Sequence, residues 1–473
     1  MPKYWYKQPK YYFYSLIVIL LGVGLGFLTV LLKPLYVFGG VLIILFFGLV
    51  IKKPIIGMYG LAFALPFERI GSVDIANITV RPSQVIVIIT VIIWLGRGLL
   101  LQKFKFRPNP MLVPILLFLA INVLALINTP NLSRAILVLF FTVFTISVAL
   151  VLPNIVRHPG QINLVTKLLL ISCGLVSVFG IYQFLGDLAG LPISLTGLRE
   201  QYTKAILGFP RIQSTALEPL YFANYLLIPL NVALALLLSK TTRRAGWLIG
   251  LIALAGINFV LTVSRGGYIA LAVCVVLLSI IYLKELLRPR NIISILLAIV
   301  VVAIIATRFI NINNQWENFS KHVANIFGGA SFVERVETFS LAEQIWRAHP
   351  WLGIGSGGFG PYAAYHPLIL PAEGFKIVNN EYIELLAETG VLGFGCYVLL
   401  IIMLLARTLK ALKNNTQPKL HAILIGLSLA WLGTLVQYNT FSVLYIMHIW
   451  FLIGLIITVQ NNLLYAENGV IKK

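Results

Sequence analysis

The sequence predicts an all-α polytopic membrane protein of about 14 transmembrane helices, 12 to 14 by hydrophobic length, with a helical extracytoplasmic cap loop. Three observations carry that prediction. Charged residues make up only 11% of the 473 positions and hydrophobic ones 59%, whereas a soluble chain carries roughly 25% charge. Apolar runs of about twenty residues, the length that crosses a bilayer, recur along the chain. One long polar interval, 309–390, interrupts them. It holds Glu317, Glu334, Glu337, Glu343, Glu373, Glu381, Glu384 and Glu388, more than half of the chain's 15 acidic residues.

Taken in order, Met1 to Lys10 is basic and aromatic. The apolar run after it is too long for a signal peptide and lacks an A-x-A-like end, so it reads as a first membrane helix. Spans are expected near 12–32, 35–51, 84–101, 111–127, 135–156, 162–186, 219–238, 246–263, 267–283, 291–308, 391–409, 420–436 and 441–460. Residues 55–67 make a shorter segment, re-entrant or tilted, which brings the count to fourteen if it spans. An even count puts both termini on one side. Lys and Arg near membrane ends stay in the cytoplasm, and the alternation gives the N-terminal side the larger share of the 36 cations. It leaves that side only Glu285 and Glu467 among the acidic residues, so the side carries the whole net charge of +21. Both termini are therefore expected in the cytoplasm, and the loops 187–218 and 309–390 outside.

The organisation is then 1–308 for helices one to eleven, 309–390 for the cap, and 391–473 for the last three helices. No internal repeat is visible. Within the cap, Ser331 is placed to N-cap a helix from Phe332 to Ala348, which His349-Pro350 terminates. The glycines between Gly353 and Gly360 read as a tight irregular loop.

The composition also excludes chemistry. Nucleic-acid binding needs cations gathered on one soluble face, and here they sit between apolar runs. Cys173, Cys274 and Cys396 lie in apolar segments and read as small core residues. No histidine pair has the i, i+4 spacing of a metal site. The only aspartates are Asp74 and Asp187, so there is no Asp-x-Asp motif to hold a divalent ion on a nucleotide diphosphate. There is no phosphate-binding GxxxxGK[ST] loop either. No metal or cofactor is expected.

A few polar residues stand out by position. Arg265 sits at the tip of a hairpin with almost no loop, where an arginine near hydrocarbon calls for an anionic partner. It reads either as a snorkelling or loop-paired cation, or as a guanidinium fork for phosphate, with Gly266 and Gly267 letting the backbone approach the ligand. Arg211 lies in the other outward loop, as an exposed charge or a second contact to the same anion. Arg335 and Arg347 on the cap helix read as solvated surface, with Arg335 retained as a cleft candidate. Glu218 precedes Pro219 at a helix start, where the positive end of the helix favours a carboxylate; a catalytic carboxylate is the other reading. Glu381, Glu384 and Glu388 share one helical face, either solvated or turned towards a cleft. Tyr382 and His366 complete the cleft candidates, and His349 reads as helix termination.

In their order these residues resemble the O-antigen ligase and polymerase family of integral-membrane glycosyltransferases, over roughly 205–405. The resemblance rests on Arg211; Ser264-Arg265-Gly266-Gly267; His349-Pro350-Trp351-Leu352-Gly353-Ile354-Gly355 followed by Phe359; and the stretch from Asn380 to Gly395 with its Glu388-Thr389-Gly390 turn. It implies a multi-pass protein of the bacterial cytoplasmic membrane that takes a glycan donor linked to undecaprenol through diphosphate, together with a glycan acceptor. Arg211 and Arg265 would stabilise the leaving diphosphate in an inverting, metal-independent transfer. A chain-length regulator or a flippase is the expected kind of protein partner. The ligases carry a His-Asn pair before the last cap helix, whereas this chain has Asn379-Asn380. Asn379 takes no proton at neutral pH, which leaves Glu381, Glu218 or His366 to serve as the base.

The expected activity is polymerisation of lipid-linked repeat units into a surface polysaccharide. The alternatives are ligation of a finished glycan to lipid A core or another acceptor, and membrane transport. A carrier usually binds substrate at the bilayer midplane, often between paired halves; neither feature is legible here.

Overall fold

The computed structural model describes residues 34–465 apart from 71, 76–77, 102–105, 108, 243–244, 289–329, 370, 372–373, 414–416 and 443. In chain order its main helices are α1 (Pro34–Lys52), α2 (Ile55–Ala64), α3 (Pro82–Leu100), α4 (Leu112–Ala125), α5 (Leu132–Ile155), α6 (Pro159–Leu188), α7 (Pro219–Leu238), α8 (Ala245–Leu261), α9 (Arg265–Ile281), α10 (Ala330–Ala348), α11 (Glu381–Leu412), α12 (Pro418–Gln437) and α13 (Met447–Tyr465). Seven of these, α3, α5, α6, α7, α11, α12 and α13, are long and apolar enough to cross a membrane, and α1, α2, α4, α8 and α9 are shorter apolar helices. The spans expected at 12–32 and 291–308 lie outside the described residues; each of the other expected segments overlaps one of these helices, although that at 441–460 becomes helical only at Met447 and that at 391–409 continues a helix begun at Glu381.

Three details differ from the expectation. Val73–Ile75 and Ile78–Val80 pair as an antiparallel ribbon, with Val73 opposite Val80; all of these residues but Asp74 are β-branched and suit extended backbone. The ribbon is the one departure from helix-only architecture among the described residues. The 55–67 segment is helical only to Ala64, and its 10 residues rise about 15 Å, too short to cross alone. Helix α10 begins at Ala330, so Ser331 lies inside it and is not its cap.

The sequence fixes most helix starts locally. Proline occupies the first position of α3, α6, α7 and α12, where its missing N–H is no loss. Asn131 Oδ1 caps α5 by accepting from Arg134 N at 3.0 Å. Ser264 Oγ caps α9 from Gly267 N at 3.3 Å, and Asn380 Oδ1 caps α11 from Tyr382 N and Ile383 N at 3.1 Å each.

Helix α13 is the centre of the bundle and is buried continuously from Met447 to Leu463. Apolar side chains gain little by leaving lipid for protein, so such helices associate through close backbone approach at small residues. Gly454 meets α5 where an added Cβ would stand 3.0 Å from Ala149 Cα, and Gly426 meets α7 with a Cβ position 2.6 Å from Val232 Cα. A buried polar set ties three helices together. His448 Nε2 lies 2.7 Å from Asn224 Oδ1, and Asn224 Nδ2 donates to Gln437 Oε1 at 2.9 Å.

The connections sort onto two ends. At one end Arg97 donates to Ile51 O at 3.2 Å, and Arg407 donates to Gln460 and Asn461 at 3.1 and 2.6 Å. At the other end Arg69 N donates to Thr215 O at 3.0 Å, Ile212 N to Leu261 O at 3.1 Å and Glu381 N to Tyr438 O at 2.9 Å. Overpacking a crossing should weaken the bundle. Gly426→Val is expected to cost about 1–3 kcal/mol and to lower the melting temperature of the detergent-solubilised protein; an unchanged melting temperature would contradict the close α7–α12 approach.

Candidate functional site

The glycine-rich loop and α11 are built as one unit. Helix α11 breaks at Gly390, whose φ of 63° and ψ of −171° are values that residues with a side chain avoid. A break releases backbone groups that must find partners, and the loop supplies them. Ile354 N and Gly355 N donate to the carbonyls of Ala387 and Glu388 at 3.1 and 2.8 Å. Beyond the break, Val391 N and Leu392 N donate to the carbonyls of Pro350 and Trp351 at 2.9 and 3.3 Å. The backbones come so close that a Cβ at Gly390 would overlap the Trp351 carbonyl, and one at Gly353 the Glu388 carbonyl.

Side chains complete the attachment. Glu388 Oε2 accepts from Gly357 N at 2.8 Å and Oε1 from Phe359 N at 3.1 Å, while Glu384 Oε2 accepts from Val378 N at 3.0 Å. Asn128 Nδ2, in the α4–α5 connection, donates to Gly353 O at 2.9 Å, and Arg134 Nε, in the first turn of α5, to Gly357 O at 3.2 Å. Helix α10 covers the assembly through Ala342 and Ile345, which share a small core with Ile354, Phe359, Val378 and Ala387. Of the acidic face, Glu384 and Glu388 are taken up by backbone amides of the loop. Glu381 is only 3% exposed and lies within electrostatic reach of Tyr382, Tyr397 and Tyr438.

Arginines from three separate elements converge at the same end. Between α8 and α9 stand only Thr262, Val263 and Ser264, with Val263 at φ 49°, so Arg265 opens α9. Arg211 Nε donates to Thr262 O at 2.8 Å, and its guanidinium carbon lies 5.7 Å from the centroid of the Tyr202 ring. Arg265 is near enough to Arg211 to oppose its charge, and Arg335 of α10 stands in the same relation to Arg265. Burial is the main force pulling Arg211 below its ordinary value; Tyr202, Glu218 and Tyr268 counter it, and Arg265 adds to it. Burial and then Arg265 lower Arg335. Arginine stays protonated through such shifts, so the charges remain. Arg335, expected as solvated surface, is half-buried beside Arg265.

The remaining candidates separate. Glu218 is the N-cap residue of α7, yet its side chain makes no cap hydrogen bond; it lies within electrostatic reach of Arg211 and Tyr202. Burial, followed by Glu218, raises the Tyr202 phenol, and Arg211 opposes them. Tyr382 OH donates to Leu435 O at 2.6 Å and so anchors α11 to α12. Asn379 adopts φ 59° ahead of the Asn380 cap. His366 is exposed and packs edge-on against Tyr365, with ring centroids 4.6 Å apart. Gly266 is needed for packing, since a Cβ there would overlap Thr440 in the α12–α13 connection. Among the described residues, no three His, Cys, Asp or Glu side chains gather as metal ligands would.

Fold and site together define a polytopic helical membrane protein with an arginine cluster at one end, beside a loop stitched into a broken helix. Residues 249–398 match the family model described as O-antigen ligase; the matched stretch contains Arg265, Arg335, the glycine loop and the Gly390 break. No curated protein matches the chain. Sequence reading passed over Glu68, Arg69, Arg81, Arg134, Arg199, Tyr202 and His448. The cations among them were within reach, because the same alternation that nominates Arg211 puts Arg69, Arg81, Arg134 and Arg199 on the outward side.

Removing the Glu388 carboxylate should loosen the loop. Glu388→Ala leaves two buried amides without acceptors, at about 1–3 kcal/mol each, and hydrogen exchange across 353–360 is expected to speed up. Unchanged protection there would contradict the attachment.

Proposed function

We propose that the protein is a membrane glycosyltransferase that joins repeat units linked to undecaprenyl diphosphate into a surface polysaccharide. The observation that carries this reading is the meeting of Arg211, Arg265 and Arg335 in a chain matching the O-antigen ligase family. Fourteen spans, cytoplasmic termini and an extracytoplasmic cap over 309–390 belong to the same proposal, supported by the sorting of cations along the sequence.

The chemistry follows from where charge develops. A hydroxyl oxygen of the acceptor attacks the anomeric carbon from the face opposite the donor diphosphate. The carbon–oxygen bond to phosphate breaks, and its electron pair leaves with the lipid diphosphate. Negative charge builds on that leaving group, and donors fixed beforehand at its position lower the barrier. Arg211 and Arg265 supply the guanidinium forks, and Arg335 adds a third charge from the cap. Glu218, beside Arg211, is the base that takes the hydroxyl proton; Glu381 is enclosed among tyrosines, and Asn379 has no basic lone pair at neutral pH. Ligation is the second reading, favoured by the family description itself. Donor and leaving group are then the same and only the acceptor differs.

Arg265→Ala and Arg211→Ala are each expected to cut polymer formation by about 10²–10³-fold with the protein still in the membrane; normal chain lengths in both would sink the diphosphate role. Glu218→Gln is expected to lose about 10²–10⁴-fold, and full turnover would remove it as base. Deleting the gene and analysing surface glycans separates the activities. Single repeat units on the lipid core indicate polymerase, accumulated lipid-linked polymer indicates ligase, and unchanged glycans contradict both.

A further inference from the structure

A second pair of cations lies at the same end of the bundle and has no part in the chemistry above. Arg69 follows α2, and Arg199 lies in the connection between α6 and α7. The fold brings them together through backbone contacts. Arg69 N donates to Thr215 O at 3.0 Å and Arg69 Nη1 to Gly197 O at 2.9 Å, two residues before Arg199. Arg199 is close enough to add to burial in lowering Arg69 from its ordinary value.

Among the described residues neither arginine forms an ion pair with a carboxylate; the pairs present are Lys240–Glu285, Arg288–Glu285 and Arg347–Glu343. Glu68, the neighbour of Arg69, is engaged elsewhere: its Oε2 accepts from Leu217 N at 3.2 Å, and Arg81 is the cation beside it. One carbonyl takes a single one of the five N–H donors that a guanidinium offers. Two like charges held together, half-buried and, among the described residues, without a salt-bridged carboxylate, form an anion site.

The pair adjoins the cluster already described. Tyr202 lies within electrostatic reach of both Arg199 and Arg211, and Arg211 N donates to Tyr202 O at 2.8 Å. Arg69, Arg199, Tyr202, Arg211, Arg265 and Arg335 therefore run in succession, each within reach of the next. A single leaving diphosphate needs only part of such a track.

We propose that Arg69 and Arg199 form a second anion subsite, which holds the phosphate groups of the acceptor next to the donor's leaving diphosphate. The inference rests on the glycosyl-transfer reading and adds the side chains that hold the phosphate of the acceptor lipid. Two sources share that chemistry, a second lipid-diphosphate repeat unit or a phosphorylated lipid core.

The test is equilibrium binding to the full chain in nanodiscs, with radiolabelled farnesyl diphosphate as probe and hexa-acylated bisphosphorylated lipid A as competitor. Two equivalents of farnesyl diphosphate per chain are expected. Arg199→Gln should reduce binding to one and Arg265→Gln should remove the other, with Arg69→Gln as a second variant of the acceptor subsite. Competition by lipid A at the site lost in Arg199→Gln assigns that site to a phosphorylated core; two equivalents without such competition assign it to a lipid diphosphate. One equivalent in the unmodified chain, abolished by Arg265→Gln and untouched by Arg199→Gln, overturns the second subsite and leaves the donor reading standing. No binding to the unmodified chain overturns both.

Discussion

The structure turns on the broken helix α11. A helix interrupted near a membrane boundary exposes carbonyls and amides that water cannot reliably satisfy, and irregular backbone survives there only when protein supplies the partners. Here the partners are the loop from Pro350 to Gly355, which accepts from Val391 and Leu392 and donates to Ala387 and Glu388. Because loop and helix complete each other, neither can shift without stranding polar groups in the other. Helix α10, which runs directly into the loop, is fixed in turn, and with it Arg335 beside Arg265. A backbone requirement at Gly390 therefore settles where a charge more than fifty residues earlier comes to rest.

The same constraint explains the composition of the loop. Gly353 and Gly390 are needed because the two backbones touch where a Cβ would otherwise stand. Glu388 is needed because the turn from Gly357 to Phe359 points two amides inward. Asn128 in the α4–α5 connection and Arg134 in the first turn of α5 extend the grip. These residues position the site, whereas Arg211 and Arg265 sit on elements whose geometry is set elsewhere, by the three-residue link between α8 and α9 and by the hydrogen bond from Arg211 to Thr262.

Much of this was legible in the sequence. Helix positions follow from apolar run length, and their starts from proline, asparagine and serine at the caps, which are local signals. The approach of Arg211 to Arg265 could be expected because the alternation of spans puts both on one side. The roles of Glu384 and Glu388 could not be read: i, i+3 and i+7 spacing shows that carboxylates share a face, not what that face meets. Arg335 looked solvated for the same reason. Gly266 suggested close approach of a ligand, and the approaching group proved to be Thr440. Arg69 and Arg199 are far apart in sequence and meet through the 197–217 loop, so the alternation that puts both on one side does not show that they meet.

Whether the arginines truly gather under the cap on the outer face can be measured directly. With the native cysteines replaced, Arg265→Cys and Arg335→Cys would be combined and treated in right-side-out spheroplasts with a short, membrane-impermeant bifunctional thiol reagent. The account predicts a cross-link between the two positions without disrupting the membrane. Absence of the cross-link, or its formation only once the inner face is opened, would contradict it.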